Sequence, residues 1–358
     1  MVDADDELER GREAFARRAW MAACESLSHA DRAAPLAAQD LELLATAAYM
    51  LGCDDDYVSG LERAHQLHLE AGAGLRAVRC AFWVGMNPVP VVMGVVNVTP
   101  DSFSDGGAWL DPDAAVAHGR ELVAQGAAIL DVGGESTRPG ADPVSVDEEL
   151  RRVIPVLEGL AGCGARLSID TSKSAVAEAA LDAGATIVND VTALRGDPAM
   201  GALIAARGCD CCLMHMLGEP RTMQSDPRYG DVVDDVKAFL AQRLDFALAQ
   251  GIAAQRIWLD PGIGFGKTVD HNLQLLARLD EIAALGRPVV VGTSRKSFIG
   301  AITGREANER VPGTIATNVL ALARGATIFR VHDVAATHDA LAVAAATLRG
   351  RWAPATTS

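Results

Sequence analysis

The spacing of hydrophobic residues changes once along the chain, at about residue 90. Before that point apolar residues recur every three or four positions, which is the period of an amphipathic α-helix. The first apolar face is formed by Leu8, Phe15, Ala19, Ala22 and Ala23. Further helical segments are predicted at 39–51, 54–69 and 74–84. Residues 1–86 are therefore predicted to form a small all-α segment.

From residue 91 onwards short apolar runs alternate with amphipathic stretches. A short apolar run bounded by turn residues is typical of a buried parallel strand. The candidate strands are 91–97, 127–133, 166–170, 186–190, 211–215, 256–260, 288–293 and 326–331. Helices are expected between them, for example at 147–160, 231–250 and 312–324. Repeated strand–helix pairs predict an α/β fold, a (β/α)8 TIM barrel over residues 87–350.

Two short segments flank the predicted barrel. Asn87-Pro88-Val89-Pro90 is expected to be a stiff linker, because proline disfavours a helix at its own position and at the preceding one. Residues 351–358 are expected to be a disordered tail. The competing architecture is a doubly wound sheet. That fold usually has a Gly-rich dinucleotide turn after its first strand, and Gly94-Val95-Val96-Asn97 lacks it.

The helical segment has a character of its own. Its short Ala-rich helices resemble the helix pairs of tetratricopeptide (TPR) repeats, most clearly over residues 11–20. The same segment also resembles the helical leader of some LuxR-type transcription regulators. It could present a docking surface for a protein partner or act as a cap on its neighbour, and the sequence favours neither.

Composition limits the class of partner and the compartment. A net charge of −15 argues against nucleic acid, since binding to a phosphate backbone needs a basic face. No run approaches the ~18 apolar residues of a spanning helix, so no membrane association is expected. The acidic first residues differ from a signal peptide, and the odd number of cysteines suggests reduced thiols. A cytoplasmic protein is expected. Cys209, Cys211 and Cys212 are interpreted as small core residues, because no second Cys/His cluster accompanies them.

Polar residues follow the carboxyl end of nearly every predicted strand. They include Asn97, Asp131, Asp170, Asn189, His215, Asp260, Lys296 and Arg330. A single aspartate at a strand end is most often a helix N-cap. In a barrel, however, all these ends meet at one rim, and one polar site accounts for the whole set better than repeated caps.

The side chains at this rim fall into chemically distinct sets. Planar donors and acceptors suited to a flat polar heterocycle are offered by Asp170, Asn189, Asp260 and Lys296. Positive charge and donors suited to phosphate are offered by Thr137, Arg138, Arg330 and His332. The carboxamide of Asn97 can give its oxygen to Mg²⁺, which often bridges substrate phosphates. Together these sets predict ionisation at a carbon from which pyrophosphate departs.

These loops together resemble those of dihydropteroate synthase, a family of the pterin-binding TIM-barrel superfamily. The matching stretches begin at Asn97, Gly134, Asp170, Asn189, Asp260, Ser294 and Arg330. The resemblance spans about residues 90–350, in order. It implies a transferase of folate biosynthesis, which joins p-aminobenzoate to 6-hydroxymethyl-7,8-dihydropterin pyrophosphate and releases 7,8-dihydropteroate and pyrophosphate. It further implies Mg²⁺, small-molecule substrates, a homodimer formed through the last barrel helices, and competition by sulfonamides.

The resemblance also implies a role for each matching residue. The pterin would be held by Asp170, Asn189, Asp260 and Lys296. Pyrophosphate would be bound by Thr137, Arg138, Arg330 and His332, with Asn97 as the Mg²⁺ ligand. The p-aminobenzoate pocket would be formed by Phe103, Pro139, Phe265 and Ser297, together with Lys296. The catalytic set would be Asp170, Lys296, Arg330 and His332, with Asp170 stabilising the cation left at the methylene carbon.

Two departures and two alternatives accompany this interpretation. Leu217 stands where the family has a polar residue, and the helical segment replaces the short hairpin that usually precedes the barrel. One alternative is a pterin-dependent methyltransferase, which would leave the phosphate-binding residues without a purpose. The other is a catalytically weak paralogue that acts as a binding or regulatory module.

Overall fold

The computed structural model describes residues 4–51, 53–73, 76, 80, 90–99, 111–136, 142–218 and 222–350. Contacts between residues divide the chain into two compact units. The first comprises residues 1–88 together with 345–358, and the second comprises residues 89–344. The linker expected at 87–90 lies outside the described residues except for Pro90, and the tail expected at 351–358 lies outside them entirely.

The first unit is helical where it is described. Its helices are α1 (Ala4–Ala16), α2 (Trp20–Ala33), α3 (Ala38–Leu51) and α4 (Asp54–Glu70). The first predicted apolar face is divided between α1 and α2, because Arg18 takes a left-handed conformation with φ 58° and turns the chain. Leu27, Leu41 and Leu61 contribute to an Ala-rich core. Most of the helix predicted at 74–84 lies outside the described residues.

The second unit contains eight strands, each named here in chain order. They are β1 (Val91–Asn97), β2 (Ile129–Gly133), β3 (Arg166–Asp170), β4 (Ile187–Asp190), β5 (Asp210–Met214), β6 (Ile257–Asp260), β7 (Val290–Val291) and β8 (Ile328–Val331). The helices between and after them are α5 (Pro112–Ala124), α6 (Val146–Leu160), α7 (Ser174–Asp182), α8 (Met200–Arg207), α9 (Val232–Ala249), α10 (Val269–Ala277), α11 (Leu279–Ala283), α12 (Ser297–Thr303), α13 (Val311–Leu322) and α14 (Val334–Arg349).

The strands form one parallel sheet that closes on itself. Their order is β6-β5-β4-β3-β2-β1-β8-β7, and every ladder within it is parallel. A further parallel bridge joins Leu259 to Val289 and so connects the two ends of the sheet. With helices following the strands, this is the (β/α)8 barrel predicted from the sequence, which is thereby confirmed.

Several barrel helices begin at residues whose side chains cap them. Asp111, Ser145, Asp231 and Thr268 each accept a hydrogen bond from a backbone N–H in the first turn of the following helix. Within the described residues no helix is both long enough and apolar enough to cross a membrane. Cys209, Cys211 and Cys212 are buried, as predicted for core residues.

The interior of the barrel is built in layers. A buried apolar layer is formed by Met93, Ile129, Ile187, Cys212, Trp258, Val290 and Ile328. Successive side chains of a strand point to opposite faces, so residues two positions further on point to the same interior. Those residues include Asp131, Asn189, Asp260 and Arg330. An apolar floor therefore supports a polar layer at the carboxyl ends of the strands.

Candidate active site

Asp131 lies at the centre of the polar layer. Its carboxylate accepts hydrogen bonds from Ser168 Oγ at 2.6 Å, Asn189 Nδ2 at 3.0 Å and Arg330 Nε at 2.6 Å. Both Asp131 and Ser168 are fully buried. A buried carboxylate is tolerated when its charge is paired and its lone pairs are satisfied. Asp131 thus fixes the orientation of two predicted site residues, Asn189 and Arg330.

Asp170 shares the guanidinium of Arg330 with Asp131. Arg330 Nη2 donates to Asp170 Oδ2 at 2.9 Å. Burial raises the pKa of Asp170 to about 7; Arg330 opposes this rise, and the neighbouring charge of Asp131 adds to it. Although burial disfavours its charged form, the two carboxylates raise the pKa of Arg330. Two carboxylates therefore face one permanent cation.

Asp260 and Lys296 approach the same layer from β6 and from the loop after β7. Asp260 Oδ1 accepts a hydrogen bond from the backbone N–H of Gly262 at 2.6 Å. Burial raises the pKa of Asp260, and the charge of Lys296 opposes the rise. Burial lowers the pKa of Lys296 to about 8, against the attraction of Asp260. Lys296 Nζ also donates to the carbonyl of Ile263 and lies 4.6 Å from the ring centroid of Phe265.

Two glycines between Asp260 and Phe265 let the backbone of this loop pass close to His215 and Lys296. Gly262 has φ +67°, and a Cβ there would lie 1.8 Å from the carbonyl oxygen of His215. Gly264 has φ +83°, and a Cβ there would lie 2.9 Å from Cδ of Lys296. Only glycine satisfies both the left-handed conformation and the close contact.

His332 and Ser294 form a second polar group at the ends of β8 and β7. Ser294 Oγ lies 2.9 Å from His332 Nδ1 and accepts from the His332 backbone N–H at 3.1 Å. Next to them, Arg295 makes a two-pronged ion pair with Asp333 at 2.9 and 2.6 Å. Arg295 has φ 57°, so the backbone immediately before Lys296 is strained. The ion pair with Asp333 holds this conformation, and so does the hydrogen bond that the Arg295 N–H donates to the Thr314 hydroxyl.

Phe265 and Ser297 are both neighbours of Lys296, Phe265 through its ring and Ser297 as the next residue in the chain. Phe265 packs against a cluster of apolar side chains that includes Met214 and Met216. Ser297 is exposed at the first position of α12. Below Phe265, buried Lys267 donates to the Phe265 carbonyl at 3.0 Å and lies 2.9 Å from His215 Nδ1. Burial lowers the pKa of Lys267 well below its usual value and that of His215 to about 3, so this pair is favoured in its uncharged form.

Lys173 links the loop after β2 to helix α6. Its Nζ donates to Glu135 and, at 2.5 Å, to Glu149 Oε2. Glu135 also accepts from the backbone N–H of Val144 at 3.3 Å, which ties together the two described ends of this loop. Glu149 is fully buried. Lys173, which follows β3, is therefore a structural link rather than a group facing the polar layer.

Asn97 lies across Gly133 from Asp170. A Cβ placed on Gly133 would lie 3.8 Å from Asn97 Oδ1 and 3.6 Å from Asp170 Oδ2. The missing side chain leaves a space bordered by an amide oxygen and a carboxylate oxygen, the donors that Mg²⁺ prefers. The residues present thus fit the predicted cation.

The predicted site residues divide into two groups. The structure brings together Asn97, Asp170, Asn189, Asp260, Phe265, Lys296, Ser297, Arg330 and His332 at the carboxyl ends of the strands. The predicted residues Phe103, Thr137, Arg138 and Pro139 lie outside the described residues. Sequence reasoning noted Asp131 at a strand end but gave it no role, and it did not identify Ser168. Their position two residues before Gly133 and Asp170, on the adjacent strands β2 and β3, was the available signal.

A family model described as "pterin binding enzyme" matches residues 93–332. The dihydropteroate synthase of Neisseria meningitidis serogroup C is 49% identical over 264 residues, which cover 73% of this chain and 93% of that protein. The chain belongs to the dihydropteroate synthase family.

Solved structures of the dihydropteroate synthase family agree with this assignment. The Yersinia pestis enzyme, in a sulfonamide drug complex, is 45% identical with a TM-score of 0.71, and the match covers 73% of this chain and 95% of that one. The Xanthomonas albilineans enzyme with 4-aminobenzoic acid is 52% identical with a TM-score of 0.67, covering 72% and 93%. The predicted family and its transferase function are confirmed.

Proposed function

We propose that the barrel condenses 6-hydroxymethyl-7,8-dihydropterin pyrophosphate with p-aminobenzoate, releasing 7,8-dihydropteroate and pyrophosphate. The observation that carries this proposal is the convergence of three carboxylates and two cations in one buried layer, namely Asp131, Asp170, Asp260, Lys296 and Arg330. Such a layer binds a flat molecule that has both donors and acceptors along its edge. It also holds one negative charge in excess, which favours a cation formed beside it.

The pterin is recognised by Asp170, Asn189, Asp260 and Lys296. Asn189 is held by Asp131, and Asp260 by the Gly262 N–H, so their polar atoms are in place before substrate arrives. Preorganised carboxylates act most strongly where positive charge develops in a low-dielectric site. Asp170 takes this part at the methylene carbon as its bond to pyrophosphate breaks.

The second substrate and the leaving group occupy the rim. Phe265, Lys296 and Ser297 line the p-aminobenzoate side, which the loops bearing Phe103 and Pro139 complete. Arg330 and His332 bind pyrophosphate, together with Thr137 and Arg138 from the loop that Glu135 anchors. A sulfonamide shares the ring and acidic tail of p-aminobenzoate and competes at the same place.

Asn97 is proposed as the protein ligand of Mg²⁺, beside the space left by Gly133. A cation held there would supply positive charge to offset the negative charge of the pyrophosphate. Asn97 is the last residue of β1, and its Oδ1 lies 3.8 Å from the position that a Cβ on Gly133 would take.

A purified-protein assay tests the proposed function. Full-length chain receives dihydropterin pyrophosphate, p-aminobenzoate and Mg²⁺, and pyrophosphate release is followed. Release that depends on p-aminobenzoate supports the proposal, while tight pterin binding without turnover supports the weak-paralogue alternative. Lys296→Ala should reduce turnover by about 10²-fold or more. The matched control is Lys237→Ala on α9, which should leave turnover unchanged.

We further propose a homodimer in the cytoplasm. Large apolar side chains on the last barrel helices are exposed, namely Ile302 on α12, Leu320 on α13 and Val343 on α14. Exposed apolar surface of this kind is typical of an interface. All seven cysteines are free thiols, which suits a reducing compartment. Leu320→Asp should convert a dimer to a monomer in analytical ultracentrifugation; a monomeric wild type would contradict the proposal.

A further inference from the structure

Three side chains of different chemistry meet inside the first unit. Glu42 lies on α3, His68 in the last turn of α4, and Cys80 further along the chain. One ligand atom from each, namely a carboxylate oxygen, an imidazole nitrogen and the thiol sulfur, lies within 4.8 Å of the other two. Glu42 Oε1 and His68 Nε2 are 2.6 Å apart. They are separated in the chain by 26 residues, so the fold brings them together.

The cluster lies within an apolar environment. His68 is 3% exposed and Cys80 is 1% exposed, while the Glu42 side chain is 13% exposed. Cys80 belongs to the same core cluster as Leu41 and Leu61. A carboxylate and an imidazole are costly to bury, and their mutual hydrogen bond offsets part of that cost. A divalent cation held by both would offset it as well, and it would also bind the thiolate of Cys80.

We propose that Glu42, His68 and Cys80 form a binding site for Zn²⁺ or a similar borderline-soft transition-metal ion. Thiolate and imidazole ligands select such ions and disfavour Mg²⁺, so this site is distinct in chemistry from the space beside Asn97. Three protein ligands with one remaining position for water match a tetrahedral zinc ion.

The distances are compatible with this ion after small side-chain movements. Zinc lies about 2.3 Å from sulfur and about 2.0 Å from nitrogen or oxygen, so its ligand atoms are roughly 3.5 Å apart. Zinc would replace the proton that Glu42 and His68 share, and would move these two atoms apart by about 1 Å. The other separations contract by a similar amount at most.

The consequence for the unit is added stability. Its core includes several alanines, which bury little apolar area per residue. Metal ligands that converge only in the folded state couple metal binding to folding. The ion would join α3 and α4 to the segment that carries Cys80.

Metal titration of the full-length protein tests the proposal. After chelation and dialysis, Co²⁺ serves as the optical probe, because its thiolate complexes give a charge-transfer band in the near ultraviolet. We expect one equivalent of Co²⁺ with that band, displaced by one equivalent of Zn²⁺. Saturating Zn²⁺ should raise the melting temperature of the helical transition by about 5 °C or more.

Variants locate the site. Cys80→Ser should abolish the band, and His68→Gln should weaken binding at least about tenfold. Glu42→Gln removes the anionic ligand while its amide oxygen still accepts from His68, so the fold is kept as affinity falls at least about tenfold. Exposed Cys53→Ser and His29→Gln are matched controls from the same unit and should bind as wild type does.

Three outcomes would overturn the proposal. The first is that the wild type binds no Co²⁺ up to about 1 mM, a concentration at which even a site far weaker than a structural zinc site would be occupied. The second is a charge-transfer band that persists in Cys80→Ser. The third is wild-type Co²⁺ affinity in Glu42→Gln. Far-ultraviolet circular dichroism accompanies each titration. If Cys80→Ser loses helicity, the Co²⁺ affinity of Glu42→Gln decides whether the site exists, because that variant keeps the hydrogen bond to His68 and therefore the fold.

Discussion

Arg330 Nε donates to Asp131 Oδ2 over 2.6 Å, and this bond joins β8 to β2 across the polar layer. Asp131 therefore acts as a positioning residue for the guanidinium. Asp131→Asn keeps the shape but removes the charge that holds Arg330, and we expect kcat/KM to fall by about 10- to 100-fold. Steady-state kinetics with both substrates measure this loss. Ser168→Ala, which removes only a neutral donor to Asp131, should have a smaller effect; equal effects would contradict the assigned role of the charge.

Asp170→Asn should make the protein more stable and less active. Burial raises the pKa of this carboxyl to about 7, so its ionised form is disfavoured in the folded state. That penalty is fully present above pH 7 and absent below the unfolded value near 3.9. We expect a gain of about 1 kcal/mol at pH 8, or 2 to 4 °C in melting temperature, with turnover reduced by ~10²-fold or more. Calorimetry at pH 8 and pH 5 tests the sign, because the gain should shrink at pH 5.

The pH dependence of kcat/KM should be bell-shaped. Asp170 must be ionised for activity, and because burial raises its pKa it becomes protonated as the pH falls below about 7. Lys296 must be protonated, and because burial lowers its pKa it loses its proton as the pH rises above about 8. The free enzyme should therefore work best between these values.

Lys296→Arg isolates the alkaline limb of that profile. Arginine stays protonated throughout, so the residual activity should no longer decline above pH 8. An unchanged alkaline limb in this variant would show that another group is responsible for it.

Lys173→Met should destabilise the barrel. It would leave Glu149 buried without its cation, and the other carboxylate oxygen of Glu149, Oε1, already has no hydrogen-bond partner among the described residues. Breaking a buried ion pair from one side costs about 3 kcal/mol or more, which corresponds to a melting temperature lower by about 6 °C or more. Thermal unfolding measures this change.

The double variant Lys173→Met, Glu149→Gln serves as the control. Without a buried charge to leave unpaired, it should recover most of the lost stability. If it is as unstable as the single variant, the packing of the lysine stem rather than its charge holds the loop after β2.

Much of the barrel and its site follows from the sequence alone. Apolar runs that end in polar residues predict strands whose tips converge, and the observed β1 (Val91–Asn97) and β3 (Arg166–Asp170) match their predicted bounds. Prediction is weaker where local signals are weak. The turn at Arg18 between α1 and α2 has no glycine or proline, and β7 is much shorter than the strand predicted at 288–293.

The pairings within the site could not be predicted in the same way. The charge of Arg330 predicts a contact with phosphate, but it does not predict that Asp131 and Asp170 share the guanidinium. Asp131 and Arg330 are 199 residues apart, and only the register of a closed sheet brings them together. Likewise Lys173 and Lys267 both follow strands, yet Lys173 forms ion pairs with two glutamates and Lys267 lies buried beside His215.

Gly262 has a consequence for inhibitor design. Any other amino acid there would force its first side-chain atom into the peptide oxygen of His215. A compound that rested on this turn would therefore meet a surface that point mutations could scarcely alter without disrupting the loop. Drug resistance would have to arise elsewhere, at positions where a changed side chain is compatible with the working enzyme.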